Sequence, residues 1–190
     1  KALGNKSSFI LPSRQLAGER IYLRELEEQD ATPEYQSWLE DPEVNKYLVA
    51  RNLSLEQIRT FICEKKRDPQ CVFWGIFLKE NDTHLGNLKI EGLDVIEGKA
   101  TIGVLIGKKQ HWNKGIGTEA MQLAMEHCFQ TLSLRELNLG VMEDHAAAIK
   151  MYEKLGFVKE KINHHAIQCG DRWHDQIIMK RRRDQQLAPV

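Results

Sequence analysis

Two glycines stand between a strand-like segment and a helix-like one in the stretch Gln110-His111-Trp112-Asn113-Lys114-Gly115-Ile116-Gly117-Thr118-Glu119-Ala120. Residues 99–107, which lead into it, are rich in branched apolar side chains and predict a mostly buried strand. Glycine lets the backbone approach a ligand closely, and the first turn of a helix carries unpaired N–H donors and the positive end of its dipole. The stretch therefore predicts a strand, an anion-binding loop and a helix, with a place for a pyrophosphate.

Two other interpretations of these glycines stay open. They can simply make a tight connection. Gly115, Gly117 and Ala120 also satisfy the dinucleotide pattern G-x-G-x-x-G/A, which requires a βαβ unit and an acidic residue roughly 20 positions later. The position where this acidic residue is required falls near Leu137, which is not acidic, although Glu136 is adjacent. The segments before the glycines have the pattern of antiparallel hairpins and not of a parallel βαβ unit. A Walker-type phosphate loop is excluded, because the spacing G-x-x-x-x-G-K-[ST] does not occur in the chain.

A second motif follows the next predicted strand, in Val141-Met142-Glu143-Asp144-His145-Ala146-Ala147-Ala148-Ile149-Lys150-Met151-Tyr152-Glu153-Lys154-Leu155-Gly156-Phe157. Together the two motifs resemble the GNAT family of acetyl-CoA-dependent N-acetyltransferases, whose loop Q/R-x-x-G-x-G/A grips the coenzyme pyrophosphate and whose segment A-i-x-x-Y-e-k-x-G-F lies beside the thioester. The resemblance spans roughly residues 20 to 180. It is closest to the RimJ/RimL type, in which a Trp precedes the glycines, as Trp112 does, and an early W-L-x-D-P-x-V motif occurs, as in Trp38-Leu39-Glu40-Asp41-Pro42-Glu43-Val44.

The pattern of the chain predicts an α+β (mixed α/β) fold. Strands are expected at 20–25, 72–79, 85–93, 99–107, 136–142, 158–163 and 173–179, and helices at 34–39, 54–66, from 117 to about 132, and around Tyr152. The resemblance implies a central, mostly antiparallel twisted sheet of about seven strands, split by a bulge and covered by helices on both faces. We expect a flexible arm over residues 1–17, one acetyltransferase domain over 18–182 and a tail over 183–190.

Composition narrows the function classes. Lysine plus arginine equals aspartate plus glutamate, 27 each, so nucleic acid is not an expected partner. The basic run Lys180-Arg181-Arg182-Arg183 is interpreted as a solvated tail after the last strand. The four cysteines lack C-x-x-C spacing and read as reduced packing residues, with neither a metal nor a disulfide implied. Without a membrane-length apolar run or a signal-like start, a cytoplasmic protein is expected.

The family resemblance assigns the coenzyme site. It implies that backbone groups of the strand before the loop bind pantetheine and polarise the acetyl carbonyl, and that the loop and the Tyr152 helix complete the site. His145 stands where the family usually has an asparagine that bonds pantetheine, and an N-cap environment explains it equally well. The expected acetyl-CoA contacts are Val104, Leu105, Ile106, Trp112, Asn113, Lys114, Gly115, Ile116, Gly117, Thr118, His145, Ala148 and Tyr152.

The expected reaction is direct attack of a primary amine in a ternary complex, without a metal. Tyr152 matches the family tyrosine that can protonate the coenzyme sulfur, although a tyrosine at helical spacing can also simply pack against the sheet. RimL-like members often carry a glutamate base at the position of Thr101, which cannot take that role. Glu143 is the first substitute, His174 and Asp175 come second, and a water relay can suffice.

The acceptor is expected to be a small-molecule amine such as an amino sugar or its nucleotide. Trp38, Asp41, Asn45 and Tyr47, with His174 and Asp175, are candidates to line its pocket. Alternatives are a protein N-terminal or ribosomal-protein acetyltransferase and a non-catalytic acyl-CoA-binding module. No membrane partner is expected, and the chain is compatible with a homodimer.

Overall fold

A computed structural model describes residues 15–185, and local signals in the sequence specify many of its elements. Ser54 and Gln57 form a capping box with both hydrogen bonds present, and Thr32 caps the preceding helix by accepting from the Tyr35 N–H. The helices are α1 (Pro33–Glu40), α2 (Leu55–Arg67), α3 (Ile116–Glu126) and α4 (Ala146–Lys154). The strands are β1 (Leu16–Ala17), β2 (Ile21–Glu25), β3 (Val72–Leu78), β4 (His84–Asp94), β5 (Lys99–Ile106), β6 (Glu136–Met142), β7 (Val158–Cys169) and β8 (Arg172–Arg182).

All the strands form one sheet of 8 strands in the order β1-β2-β3-β4-β5-β6-β8-β7. Neighbours are antiparallel except β5 and β6, which are parallel. The predicted mixed fold with a mostly antiparallel sheet is confirmed. The strand count exceeds the expected one because the short β1 pairs with β2, and the last two strands are longer than predicted.

The sheet splits between β5 and β6. Their parallel pairing covers only Lys99–Thr101 against residues 136–138, and the Thr101 hydroxyl donates to Asn138 Oδ1 at 2.8 Å where it ends. Beyond this point β6 stays paired with β8 and separates from β5. The predicted bulge is not what opens the gap, because residues 101–106 keep an unbroken register with β4 and the irregularity lies between Glu91 and Asp94. The gap exists because the parallel pairing stops.

Helices cover both faces of the sheet, as predicted. On one face α3 and α4 pack on the larger apolar cluster through residues such as Met121 and Ile149. On the other face α1 and α2 pack on a second cluster through Trp38, Ile58 and Ile62. Burial of these apolar stripes is the main source of stability for helices of this length. The gap between β5 and β6 thus has α3 and α4 on one side and α1 on the other.

The ends of the domain differ from the sequence-based expectation. Lys180 to Arg182 belong to β8 and pair with β6, so the prediction of a solvated tail is wrong for them. The reason is the buried Glu136, whose carboxylate lies 3.2 Å from Lys180 Nζ and 3.3 Å from Arg182 Nε. Leu16 and Ala17, placed in the predicted arm, form β1. The rest of that arm, residues 1–14, and residues 186–190 of the predicted tail lie outside the described residues.

The cysteines pack as thiols. Cys63, Cys71, Cys128 and Cys169 are all free, and all but Cys63 are buried. Burial raises the pKa of Cys71 to about 11 and that of Cys128 to about 12, which keeps both protonated at neutral pH. This confirms the interpretation as packing residues for the three buried cysteines, whereas the partly exposed Cys63 donates its thiol proton to Glu28 Oε1. Within residues 15–185, none of the helices has the length and apolarity needed to span a membrane.

Candidate active site

The loop between β5 and α3, called here the glycine loop (residues 107–118), presents a run of free amides. Trp112 N–H bonds the Lys109 carbonyl and Glu119 N–H bonds that of Gly115, but the amides from Asn113 to Thr118 have no backbone acceptor among residues 15–185. The N-cap of α3 is Gly115, so no side chain caps these donors. Unpaired amides at the positive end of a helix dipole suit an anion, which is the role that the sequence predicts for this loop.

The loop backbone turns through left-handed conformations at Asn113 (φ 57°) and Gly115 (φ 77°). Asparagine tolerates this region and glycine enters it without cost. The loop is also anchored to its surroundings. Trp112 Nε1 donates to the Ile106 carbonyl at 2.8 Å, and Lys109 Nζ lies 2.8 Å from Asp41 Oδ2. The glycine loop is therefore tied both to the end of β5 and to Asp41.

The free edge of β5 faces the gap in the sheet. In an extended strand, the N–H and C=O of one residue point to the same side, and successive residues alternate. Gly107 N–H bonds the Leu85 carbonyl on β4, whereas the Ile106 carbonyl accepts from Trp112, so Ile106 faces the gap. By alternation Val104 also turns its N–H and C=O to the gap, and Leu105 turns them to β4. Two of the three predicted strand residues thus offer backbone groups to a ligand, while the Leu105 side chain packs against the α1/α2 cluster.

Tyr152 lies on α4 with its ring 5.9 Å from that of Phe157. The residue is buried, and burial alone raises the pKa of its phenol to about 12. A Cβ added to Gly117 would lie 3.3 Å from Met151 Sδ and 3.7 Å from Ile106 Cγ1. The start of α3, the end of β5 and α4 therefore meet at one place, and the buried Ala148 lies one turn before Tyr152 on the same helix.

Tyr47, which precedes α2, contacts the residues that follow β6, at the same end of the parallel strand pair as the glycine loop. Its ring stacks on His145 at 3.9 Å with an interplanar angle of 11°, and its hydroxyl donates to the Asp144 carbonyl at 3.1 Å. His174 Nδ1 lies 3.4 Å from Asp144 Oδ1, and the His174 side chain is only 12% exposed. Burial lowers the pKa of His145, so its imidazole is neutral at pH 7. We call these four residues the mouth cluster.

The structure separates the residues predicted to bind the acceptor. Trp38 is buried against Gly107, and Asn45 is buried with its amide donating to the Leu39 carbonyl. Asp41 pairs with Lys109, and this contact lowers the pKa of its carboxyl. Asp175 accepts from His165 N–H and lies 2.7 Å from His164 Nδ1. Of this predicted set, only Tyr47 and His174 reach the mouth cluster.

Glu143, the predicted base, is exposed at the end of β6. Its N–H donates to the Asp175 carbonyl, while its carboxylate has no hydrogen-bond or ion-pair partner in the described part of the chain. Asp144, the next residue, has the defined contacts instead. Asp144 has no role predicted from the sequence, although its place two residues after a strand that borders the gap is a signal that could have indicated one.

Comparisons with known proteins agree with this architecture. The family model for the acetyltransferase (GNAT) domain matches residues 20–158. An uncharacterized N-acetyltransferase of Bacillus licheniformis, p20, is 32% identical over 146 residues, covering 75% of this chain and 81% of that protein. A GNAT-family acetyltransferase from Bacillus anthracis has a similar structure, with a TM-score of 0.79 at 19% identity over 90% of this chain and 100% of that one.

A similar fold also occurs in the spermidine N-acetyltransferase from Vibrio cholerae, whose structure was solved in complex with CoA and spermine. Its TM-score is 0.77 at 19% identity, over 86% of this chain and 95% of that one.

Proposed function

The chain belongs to the GNAT family of acetyltransferases and is an N-acetyltransferase, and from this premise we propose that it moves an acetyl group from acetyl-CoA to a small-molecule primary amine. Attack is direct, with both substrates bound together. One observation carries the proposal: the free amides from Asn113 to Thr118 lie beside the open edge of β5. The predicted RimJ/RimL-like character and a cytoplasmic location remain part of the proposal.

The residues present fit coenzyme A. The amides of the glycine loop suit a pyrophosphate, and the absence of a side chain at Gly117 leaves room between α3, β5 and Met151. The Val104 carbonyl and the Ile106 N–H suit the amides of pantetheine, as a strand edge suits an added strand. His145, at the N-terminus of α4, supplies a neutral imidazole as a further partner. Acetyl-CoA brings an acyl group activated as a thioester.

The chain contributes three functions to the transfer. The Val104 N–H donates a hydrogen bond to the carbonyl oxygen as negative charge develops on it. Tyr152 holds a proton at neutral pH and donates it to the leaving thiolate as the C–S bond breaks. A base near the mouth cluster removes one proton from the acceptor ammonium before the C–N bond forms, and the second proton leaves the nitrogen as the amide forms and goes to solvent, from which Tyr152 is reprotonated.

We propose His174 rather than Glu143 as that base. The Asp144 carboxylate orients His174, whereas the exposed Glu143 carboxylate has no described partner. We expect His174→Gln to lower kcat/KM for the amine about tenfold, since water can partly replace the base. Glu143→Gln should leave kcat/KM for the amine nearly unchanged. An equal or larger loss in Glu143→Gln, measured under the same conditions, would assign the base to Glu143.

We place the acceptor beside the mouth cluster. The carboxylates of Glu143 and Asp144 attract an ammonium group, while Lys46 and Arg51, on the segment that carries Tyr47, suit a phosphate. Lys46 Nζ lies 4.9 Å from the Tyr47 ring centre. These charges support an amino sugar or an amino-sugar nucleotide as the acceptor.

A screen of thiol release from acetyl-CoA tests this proposal. Amino sugars, their nucleotides, polyamines and peptides with free N-termini are offered at equal concentration, and products are identified by mass shift. We expect turnover with the amino-sugar group, and the highest kcat/KM for a phosphate-bearing member. Preferred turnover of a peptide would overturn the small-molecule assignment, and failure to bind CoA in calorimetry would overturn the whole function.

A further inference from the structure

Arg20, immediately before β2, connects that strand to the glycine loop. Its Nη1 donates to the Lys114 carbonyl at 2.6 Å, and its Nε donates to Glu119 Oε2 at 3.0 Å. The same guanidinium thus holds the last residue before Gly115 and the first turn of α3. A planar fork of donors can make both contacts at once, which a lysine cannot do.

The contact with Lys114 determines where the next amide points. A trans peptide is planar, so the carbonyl of Lys114 and the N–H of Gly115 point in opposite directions. With the carbonyl turned to Arg20, the Gly115 N–H is turned away from it. That N–H belongs to the free amides of the glycine loop. Gly115 has φ 77°, and a Cβ there would lie 3.2 Å from Arg20 Nη2, so the guanidinium lies against this peptide.

Glu119 holds Arg20 in place. Its Oε1 accepts from the N–H of Arg20 at 2.8 Å and of Ile21 at 3.3 Å. Burial works to raise the pKa of Glu119, but these backbone bonds and the guanidinium lower it below its ordinary value, so the carboxylate is charged at neutral pH. A Cβ on Gly18 would come within 2.6 Å of Glu119 Oε1, so a side chain there would disturb the contact. The guanidinium also offsets a negative charge that would otherwise oppose an anion at the start of α3.

We infer that Arg20 is a positioning residue that aims the Gly115 amide at the coenzyme pyrophosphate, with Glu119 holding the guanidinium for this purpose. The inference rests on the proposed binding of coenzyme A by the glycine loop. It gives β2, at the other side of the sheet from β6, a part in the coenzyme site.

The test is Arg20→Lys, which keeps the positive charge but removes the planar guanidinium whose Nε and Nη1 bond Glu119 and Lys114. We expect KM for acetyl-CoA and Kd for CoA to rise about tenfold, with kcat at saturation and KM for the amine unchanged. Pantetheine, which lacks the pyrophosphate, should bind the variant and the wild type equally. Arg59→Lys, the same exchange on the exposed face of α2, is the matched control and should change none of these values.

A second measurement needs no ligand. In the free protein, the NMR order parameter of the Gly115 N–H should fall from the range of rigid backbone, about 0.85, to below about 0.6 in Arg20→Lys. An unchanged order parameter, or an equal loss of affinity for CoA and pantetheine, would overturn the inference. A wild-type protein that does not bind CoA would instead refute the proposed function, and the order parameter would still decide whether Arg20 fixes the amide.

Discussion

Tyr152→Phe is expected to lower kcat on the order of 10²-fold at saturating substrates, while KM for acetyl-CoA stays within about twofold. The phenol is buried on α4, and burial raises its pKa to about 12, so it holds its proton throughout the neutral and mildly alkaline range. Phenylalanine keeps the ring and its contact with Phe157 but cannot supply a proton to the leaving thiolate. Initial rates at saturating acetyl-CoA and amine measure the effect.

The pH dependence gives an independent check on Tyr152. Because its pKa is raised, the acid form persists well above pH 10, and wild-type kcat should not decline between about pH 8 and 10 through loss of this proton. Tyr22→Phe is the matched control, since the Tyr22 hydroxyl bonds Asp82 away from the gap. Unchanged kcat in Tyr152→Phe would mean that water protonates the thiolate and that Tyr152 only packs.

Gly117→Val is expected to raise the Kd for CoA about thirtyfold, which corresponds to about 2 kcal/mol. Gly117 occupies the first turn of α3. A side chain at this position would point towards Met151 and Ile106, where α3, β5 and α4 meet. A branched side chain there fills the space proposed for the pyrophosphate and pantetheine. Calorimetric titration with CoA measures the change.

A graded series separates obstruction of the ligand from damage to the fold. Gly117→Ala adds only a Cβ at 3.3 Å from the flexible Met151 side chain, so its effect on Kd should be less than about fivefold. Thermal unfolding in the absence of ligand should be nearly the same for both variants. Equal affinity of the valine variant and the wild type for CoA would place the pyrophosphate elsewhere.

The glycine loop and the Tyr152 helix were predictable because their signals are local. One short stretch contains three such signals: Gly115 with its positive φ, a helix start without a side-chain cap, and a strand rich in branched apolar residues before it. The conclusion that Val104 and Ile106, but not Leu105, face the gap required the structure, because it depends on the side of β5 from which Trp112 approaches.

The acceptor side was less predictable. The sequence does not distinguish a tryptophan or an asparagine that lines a pocket from one that packs in the core. In the structure, both Trp38 and Asn45 are buried in the core. In the mouth cluster, the Tyr47 hydroxyl bonds the carbonyl of Asp144, which lies 97 positions later in the chain. The contact of Arg20 with Glu119 spans 99 positions, a separation over which periodicity carries no information.

The narrow seam between β5 and β6 has a thermodynamic consequence. Among the described residues, main-chain pairing joins β5 and β6 only near their starts, between residues 98–101 and residues 135–138. A ligand bound between the diverging strands would hydrogen-bond to the free edge of β5 and contact β6. It would therefore hold the two half-sheets together as well as take part in the reaction. By mass action, a ligand at a hundredfold excess over its Kd adds about 2.7 kcal/mol to the free energy of unfolding. The concentration of the acyl donor would then affect the free energy of unfolding of the enzyme as well as its reaction rate.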